Sequence, residues 1–403
     1  MNKQNSYLFV LLSLIISNIE LDACSMFKIT QDGKTVVGNN EDYWDPNTRI
    51  WFEQGAKEKF GAVYVGFDNM FPQGGMNEKG LVFDGFAMPF LAVSDTAGKK
   101  TITQGEEAFN FGKTILQGCS NVNDVKNHLM KFNLQLYQTS LLLFVDKSGD
   151  YLIVEGDSLI IGSDSTYIQS NFYPSQTEEK DVKIGFYNKG KRFLQESIPE
   201  TKLSYCASMM DSLHQDFGYG GTMYTTIYDL ENLDINLYYH FNYDEKITFN
   251  LIDELKKGNK QYKIPDLFPN NEAGHKHLLI YNSVKEKLGV LNDKNLAADT
   301  LKFNDFLDGI LKLKPPKSFT WEIHLLGHKW LNEYHNSEVA LKILRLNNTL
   351  FPNTFYTFNG LGTAYMKNQQ YDLAKKQYSK ALELNPHNSF AKSQLKELEK
   401  LSN

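Results

Sequence analysis

Between residue 25 and about residue 249 the chain is rich in short strand-like stretches of apolar and β-branched residues with turn signals between them. Residues 26–30 and 34–37 flank Gln31-Asp32-Gly33 and predict a hairpin. Residues 141–145, 151–155 and 167–170 predict three further strands, and residues 222–228 and 236–241 a second hairpin around Glu231-Asn232. Helical spacing replaces this pattern at residues 106–116, 122–132 and 205–213. Strand groups separated by helix pairs predict an α+β domain, with two packed sheets and helices outside them.

Towards the C-terminus the period becomes helical throughout. Within residues 355–388, Leu361, Gly362, Tyr365, Ala374, Tyr378, Ala381 and Pro386 follow the pattern of a tetratricopeptide repeat. A weaker copy precedes it: Ala340 and Ala374, like Pro352 and Pro386, are 34 residues apart. Residues 317–403 are thus expected to form an all-α tetratricopeptide-like domain that docks on a neighbour, because such repeats bury their faces only against one another or a partner. Its exposed surface would serve a protein partner. Residues 263–316 read as a connecting helical or linker segment. His324 and His328 are four apart, but without the Glu of an H-E-x-x-H motif they read as ordinary helix residues.

A length of 403 residues argues for two domains, and 41% hydrophobic with 22% charged residues is ordinary for a globular chain. The net charge of −6 gives no electrostatic reason for a nucleic-acid partner or an anionic surface. No phosphate loop or dinucleotide fingerprint is present, so no cofactor and no metal are expected. Residues 1–23 read as a signal peptide: Lys3, an apolar run over residues 8–16, then a polar stretch ending in Ala23. The run is too short to span a bilayer, and no later stretch is long and apolar enough to do so. Export to the periplasm or cell envelope is expected, with cleavage after Ala23 leaving Cys24 first. Cys119 and Cys206, the other two cysteines, would be either a disulfide pair or two small buried thiols.

An N-terminal cysteine joins an amine of pKa near 7.7–8.0 and a thiol near 8.5 on one residue. The amine takes the thiol proton, the thiolate attacks a carbonyl, and the amine then protonates the leaving nitrogen. Cys24-Ser25, Gly38-Asn39-Asn40-Glu41-Asp42, Gly75-Met76-Asn77-Glu78-Lys79-Gly80-Leu81, Ile168-Gln169-Ser170-Asn171, Gly190-Lys191-Arg192-Phe193 and the hairpin from Thr222 occur in one order. That order resembles the Ntn-hydrolase superfamily, in its branch of choloylglycine hydrolases, penicillin V acylases, acid-ceramidase-like amidases and acyl-CoA:6-aminopenicillanate acyltransferases. The resemblance covers about residues 24 to 250.

It implies a four-layer α-β-β-α sandwich over residues 24–262 and a hydrolase of linear amide C–N bonds working through a thioester. It further implies that Cys24 is the nucleophile, that Asp42 holds the α-amine, that Asn171 lends its amide to an oxyanion hole, and that Arg192 sits near the thiol and favours thiolate. The sequence departs from the pattern at Asn39, where bile-salt and penicillin members carry arginine, and at Ala87, where some relatives have Asn or Tyr. Asn39, Phe86, Ala87 and Met88 are the expected substrate contacts, for an N-acyl amino compound or short peptide; Phe90 is a further candidate for an acyl pocket. Two alternatives stand beside this reading. One is an acyltransferase of the same family. The other is a lipid-anchored binding protein that uses its repeats, since Leu21-Asp22-Ala23-Cys24 is a partial lipobox.

Overall fold

The computed structural model describes residues 24–102, 106–216 and 220–401, so the expected signal peptide lies outside the described residues. It divides into two compact units, one ending at His275 and one running from Lys276.

The first unit begins with β1 (Ser25–Gln31) and β2 (Lys34–Tyr43), joined where Asp32 and Gly33 both take left-handed backbone, as a two-residue hairpin of right-handed twist requires. Then follow β3 (Thr48–Glu53), β4 (Ala62–Phe67), β5 (Pro72–Asn77) and β6 (Val82–Ala87). Beyond a short parallel pair, β7 (Lys100–Thr101) with β8 (Phe132–Asn133), come β9 (Ser140–Val145), β10 (Tyr151–Glu155), β11 (Ser158–Gly162) and β12 (Thr166–Gln169). The last strands are β13 (Gly221–Asp229), β14 (Asp234–Tyr239), β15 (Asn242–Asn250) and β16 (Lys260–Lys263).

One sheet has the order β12-β1-β2-β13-β14-β15 and the other β11-β10-β9-β6-β5-β4-β3-β16, each with antiparallel neighbours. Three cores result, and they define four layers. Met26, Val37, Val82, Phe86, Leu143 and Tyr224 fill the space between the sheets. Outside the longer sheet, helices Glu106–Gly118 and Val122–Leu129 cover Trp51, Tyr64, Phe83 and Phe144. Outside the other, helices Gly185–Glu196 and Leu203–Leu213 cover Phe27, Ile29 and Ile227. Burying each such side chain contributes roughly 1.5–3 kcal/mol. The expected α-β-β-α sandwich is therefore the observed architecture. Cys119 and Cys206 are free thiols, and they lie in the two different outer cores, so the disulfide alternative is excluded.

Asn77 binds the turn before Gly80 closely: its side chain accepts from Lys79 N and Leu81 N and donates to the carbonyls of Leu116 and Cys119. Residues 263–316, read as a connecting helical or linker segment, are mostly helical. Helix Glu272–Leu291 and helix Thr300–Leu313 account for most of the segment, and the Trp330 indole donates to Leu291 O at 3.0 Å.

In the second unit, helices Phe319–Asn332, Ser337–Leu350, Phe355–Lys367, Tyr371–Leu384 and Ser389–Leu401 follow in sequence as antiparallel neighbours. Ala374, Tyr378 and Ala381 are fully buried, as the repeat pattern requires. His324 and His328 pack with ring centroids 4.3 Å apart, and Trp321 stacks on His324. Burial holds the His324 imidazole down at about 3, with the neighbouring His328 adding to it, and burial with Lys367 holds His328 at about 4. Unfolding restores ordinary values near 6.5, so the stability held in the neutral pair is complete above that pH and is lost as pH falls towards 4. The expected result is a helical unit weaker at pH 4.5 than at pH 7 by on the order of 2–5 kcal/mol. His324→Gln combined with His328→Gln should flatten that dependence in melts followed by circular dichroism.

Candidate active site

Cys24 directly precedes β1, and strand register decides its neighbours. Ser25 pairs with Asn40 and Met26 with Asn39, so one step further Cys24 lies opposite Glu41 of β2. On its other side Met26 pairs with Gln169, and two residues further on Asn171 lies opposite Cys24. The Ser170 hydroxyl donates to Cys24 O at 3.0 Å, which fixes that edge. Opposite residues in a ladder bring their Cβ atoms within about 5 Å. Three motifs far apart in sequence thus meet at one cysteine.

Cys24 belongs to the core between the sheets, together with Phe86 of the facing sheet and Met88 just beyond its strand. Its thiol points at Asp42 O, 4.0 Å away. The Asp42 carboxyl is itself held by Thr222, whose hydroxyl donates at 2.5 Å, and by the Gln215 side-chain amide. A β-bulge between Thr222 and Tyr224 is what turns Thr222 towards it. Asn171 is buried and donates its side-chain amide to Ala87 O at 2.7 Å.

Two expected residues are not where the motifs suggested. Arg192 is exposed on helix Gly185–Glu196 and does not stand beside the thiol. That helix buries Tyr187 and Gly190, and two residues past Gly190 the side chain has turned about 200° to the far side. Ala87 is also exposed, because β6 turns Val82, Asp84 and Phe86 inward and alternation sends Ala87 outward. Its carbonyl, not its side chain, reaches the site. Phe90 is 59% exposed and is no part of the inner core.

Glu41 and Asp84 are the site residues that motif reading passed over. Both are almost fully buried, and Asp84 comes from the facing sheet. It fits because Gly74, its partner on β5, has no side chain: a Cβ there would lie less than 3 Å from Asp84 Oδ2. The signal was available, since Asp84 alternates with Val82 and Phe86 in an otherwise apolar strand. Burial pushes both carboxyls well above the usual carboxylate range, and for Glu41 the charges of Asp84 and Asp42 add to it. Burial, then Glu41, Asp42 and Asp84, also push the Cys24 thiol well above its ordinary value. Among the described residues no cation opposes them at the thiol.

A pH effect follows with a definite sign. A carboxyl whose folded pKa is raised keeps a proton that the unfolded chain releases above about pH 4.3, so stability falls as pH rises through and beyond that value. In a chain that retains Ala23, Glu41→Gln should match the parent at pH 4.5. It should be more stable at pH 8 by on the order of 1–3 kcal/mol. Equal pH slopes in urea melts would show that Glu41 is not held protonated.

Residues 28–169, about a third of the chain, match the linear amide C-N hydrolases, choloylglycine hydrolase family. Those residues form a choloylglycine hydrolase family domain. Such hydrolases act on linear amide C–N bonds. The match contains Asn39, Asp42, Phe86, Ala87 and Met88, while Cys24, Asn171 and Arg192 flank it. Residues 355–388 match the tetratricopeptide repeat. Among solved structures, the conjugated bile acid hydrolase of Clostridium perfringens is similar, with 18% identity and a TM-score of 0.48 over 60% of this chain and 97% of that one. The penicillin V acylase of Agrobacterium tumefaciens is similar at 16% identity and TM-score 0.45, over 60% of this chain and 91% of that one. No curated protein sequence matches the chain. No helix among the described residues is long and apolar enough to cross a membrane.

Proposed function

We propose that the chain is an exported amidase whose nucleophile is Cys24, freed as the N-terminal residue when residues 1–23 are removed. The observation that carries this is the register of β1, β2 and β12, which brings Cys24 between Glu41 and Asn171 at the edge of the stretch that matches the choloylglycine hydrolase family. The α-amine takes the thiol proton, and the sulfur adds to the carbonyl carbon of an N-acyl amino compound or short peptide. The C–N bond breaks as the α-ammonium returns its proton to the leaving nitrogen. Water then adds to the thioester and releases the carboxylic acid and the free thiol. Asp42 keeps the strand carbonyl below the sulfur in place, its carboxyl anchored by Thr222 and Gln215. Phe86 and Met88 give the acyl chain an apolar wall.

Asn171 would leave Ala87 O and turn its amide to the oxyanion. Asn171→Ala should then lower kcat by about 100-fold with little change in KM. A loss confined to KM would make Asn171 a binding group. The experiment for the reading as a whole is to assay the processed chain against N-acyl amides of graded acyl length and short peptides, with amine release as readout. No release from any of them, in a folded chain with an accessible thiol, would contradict it. The periplasm or cell envelope is the compartment this leader implies, and the helical repeats are proposed to hold a protein partner there.

A further inference from the structure

Glu41 and Asp84 bring two carboxyl groups from opposite sheets to the same interior space. Glu41 Oε2 and Asp84 Oδ2 are both buried without a hydrogen-bond partner. Asn39, on the same face of β2 as Glu41, is 1% exposed, and neither polar atom of its amide has a partner. Tyr224, which pairs with Glu41 across the ladder, leans on that carboxyl, yet its buried hydroxyl also lacks a partner at hydrogen-bonding geometry. Tyr228, on the same face of β13, is the fifth residue, its buried hydroxyl close to Thr226 but likewise without a partner at hydrogen-bonding geometry. Buried polar groups are normally satisfied, and each unsatisfied one costs about 1–3 kcal/mol. Five such residues on facing strands beside a nucleophile are arranged for a ligand.

Its charge and shape follow from the acceptors. Glu41 Oε2, Asp84 Oδ2 and Asn39 Oδ1 are three, matching the three N–H donors of a primary ammonium group. The rings of Tyr224 and Tyr228 suit a cation as well. We infer that Glu41 and Asp84, with Asn39, form an ammonium-binding site beside the Cys24 thiol. Two sources offer that group: the α-ammonium of Cys24 once the chain is cut before it, or an ammonium carried by the substrate close to its scissile amide. Charged and titratable groups facing the site are Glu41 and Asp42 from β2, Asp84 from β6, Tyr224 and Tyr228 from β13, and the thiol itself. A cation there offsets the charges that otherwise disfavour thiolate. The inference deepens the proposed amidase reading and rests on it for the identity of the nucleophile.

The test uses the processed chain and its Glu41→Gln and Asp84→Asn variants, each checked for folding by its melting transition. Two isosteric changes on opposite sheets keep the test open if one variant fails to fold. In one arm, kcat/KM is compared for paired amides that differ only in an ammonium versus a methyl group near the carbonyl. A substrate source predicts at least a tenfold preference for the ammonium partner, reduced to within about twofold in either variant. In the other arm, the α-amine of 15N-cysteine-labelled chain is titrated by NMR. An internal source predicts that its pKa falls by at least one unit in either variant. If neither the preference nor the amine pKa responds, no ammonium binds between these carboxyls. If no amide is turned over at all, the amidase reading fails, while the amine titration still decides the site.

Discussion

Cys24→Ser should fold as the parent does and turn over amides at least about a thousandfold more slowly, a loss of roughly 4 kcal/mol in transition-state stabilisation. The structural cost is small because the thiol makes one weak contact, to Asp42 O at 4.0 Å, and the exchange of sulfur for oxygen nearly conserves volume. The chemical cost is large because a hydroxyl is a far weaker acid than a thiol, and three carboxyl groups surround it. Catalysis left over after the exchange would come from binding and the oxyanion site alone. The check is kcat/KM together with a melting transition unchanged within about 1 kcal/mol. A serine variant within tenfold of the parent would remove Cys24 from the chemistry.

A comparable loss is expected when a single alanine is kept ahead of Cys24. The nitrogen is then an uncharged amide. It can neither take the thiol proton nor return one to the leaving group, each a contribution of about 100-fold or more. Burial and the charges of Glu41, Asp42 and Asp84 hold the thiol protonated at neutral pH, so that chain should also alkylate slowly. Its labelling rate should keep rising with pH through 9, whereas the processed chain should level off earlier. Equal turnover with the alanine in place would mean that another group serves as base, with the buried Glu41 first in line for examination.

Much of this was legible in sequence. Short apolar or β-branched runs bounded by turn residues marked β1, β2, β9, β10, β12, β13 and β14. The run from β3 to β6 carried less signal. β5 reads Pro-Gln-Gly-Gly-Met-Asn, and β4 is buried at every position, so neither alternates. Motif order identified the family, and strand register explains why: residues 24, 41 and 171 become neighbours only when β1 lies between β2 and β12. Short motifs do not carry orientation, however. Arg192 has the right neighbours in sequence and the wrong side of its helix, and Ala87 has the right strand and the wrong face. Asp84 was missed for the opposite reason: it sits in no motif, and what matters is the opposite sheet it faces. Residues 263–316 were read only as a helical or linker connection, because the apolar positions of their helices stand in a Lys-rich background.

The most direct measurement is mass spectrometry of the N-terminal peptide after a brief exposure of the exported chain to an amide substrate and an acid quench. The expected peptide begins at Cys24 with a free α-amine and carries the acyl group on sulfur, where neutral hydroxylamine removes it. A peptide that begins elsewhere, a diacylglycerol on Cys24, or an acyl group on any other residue would contradict the assignment of Cys24 as the N-terminal nucleophile.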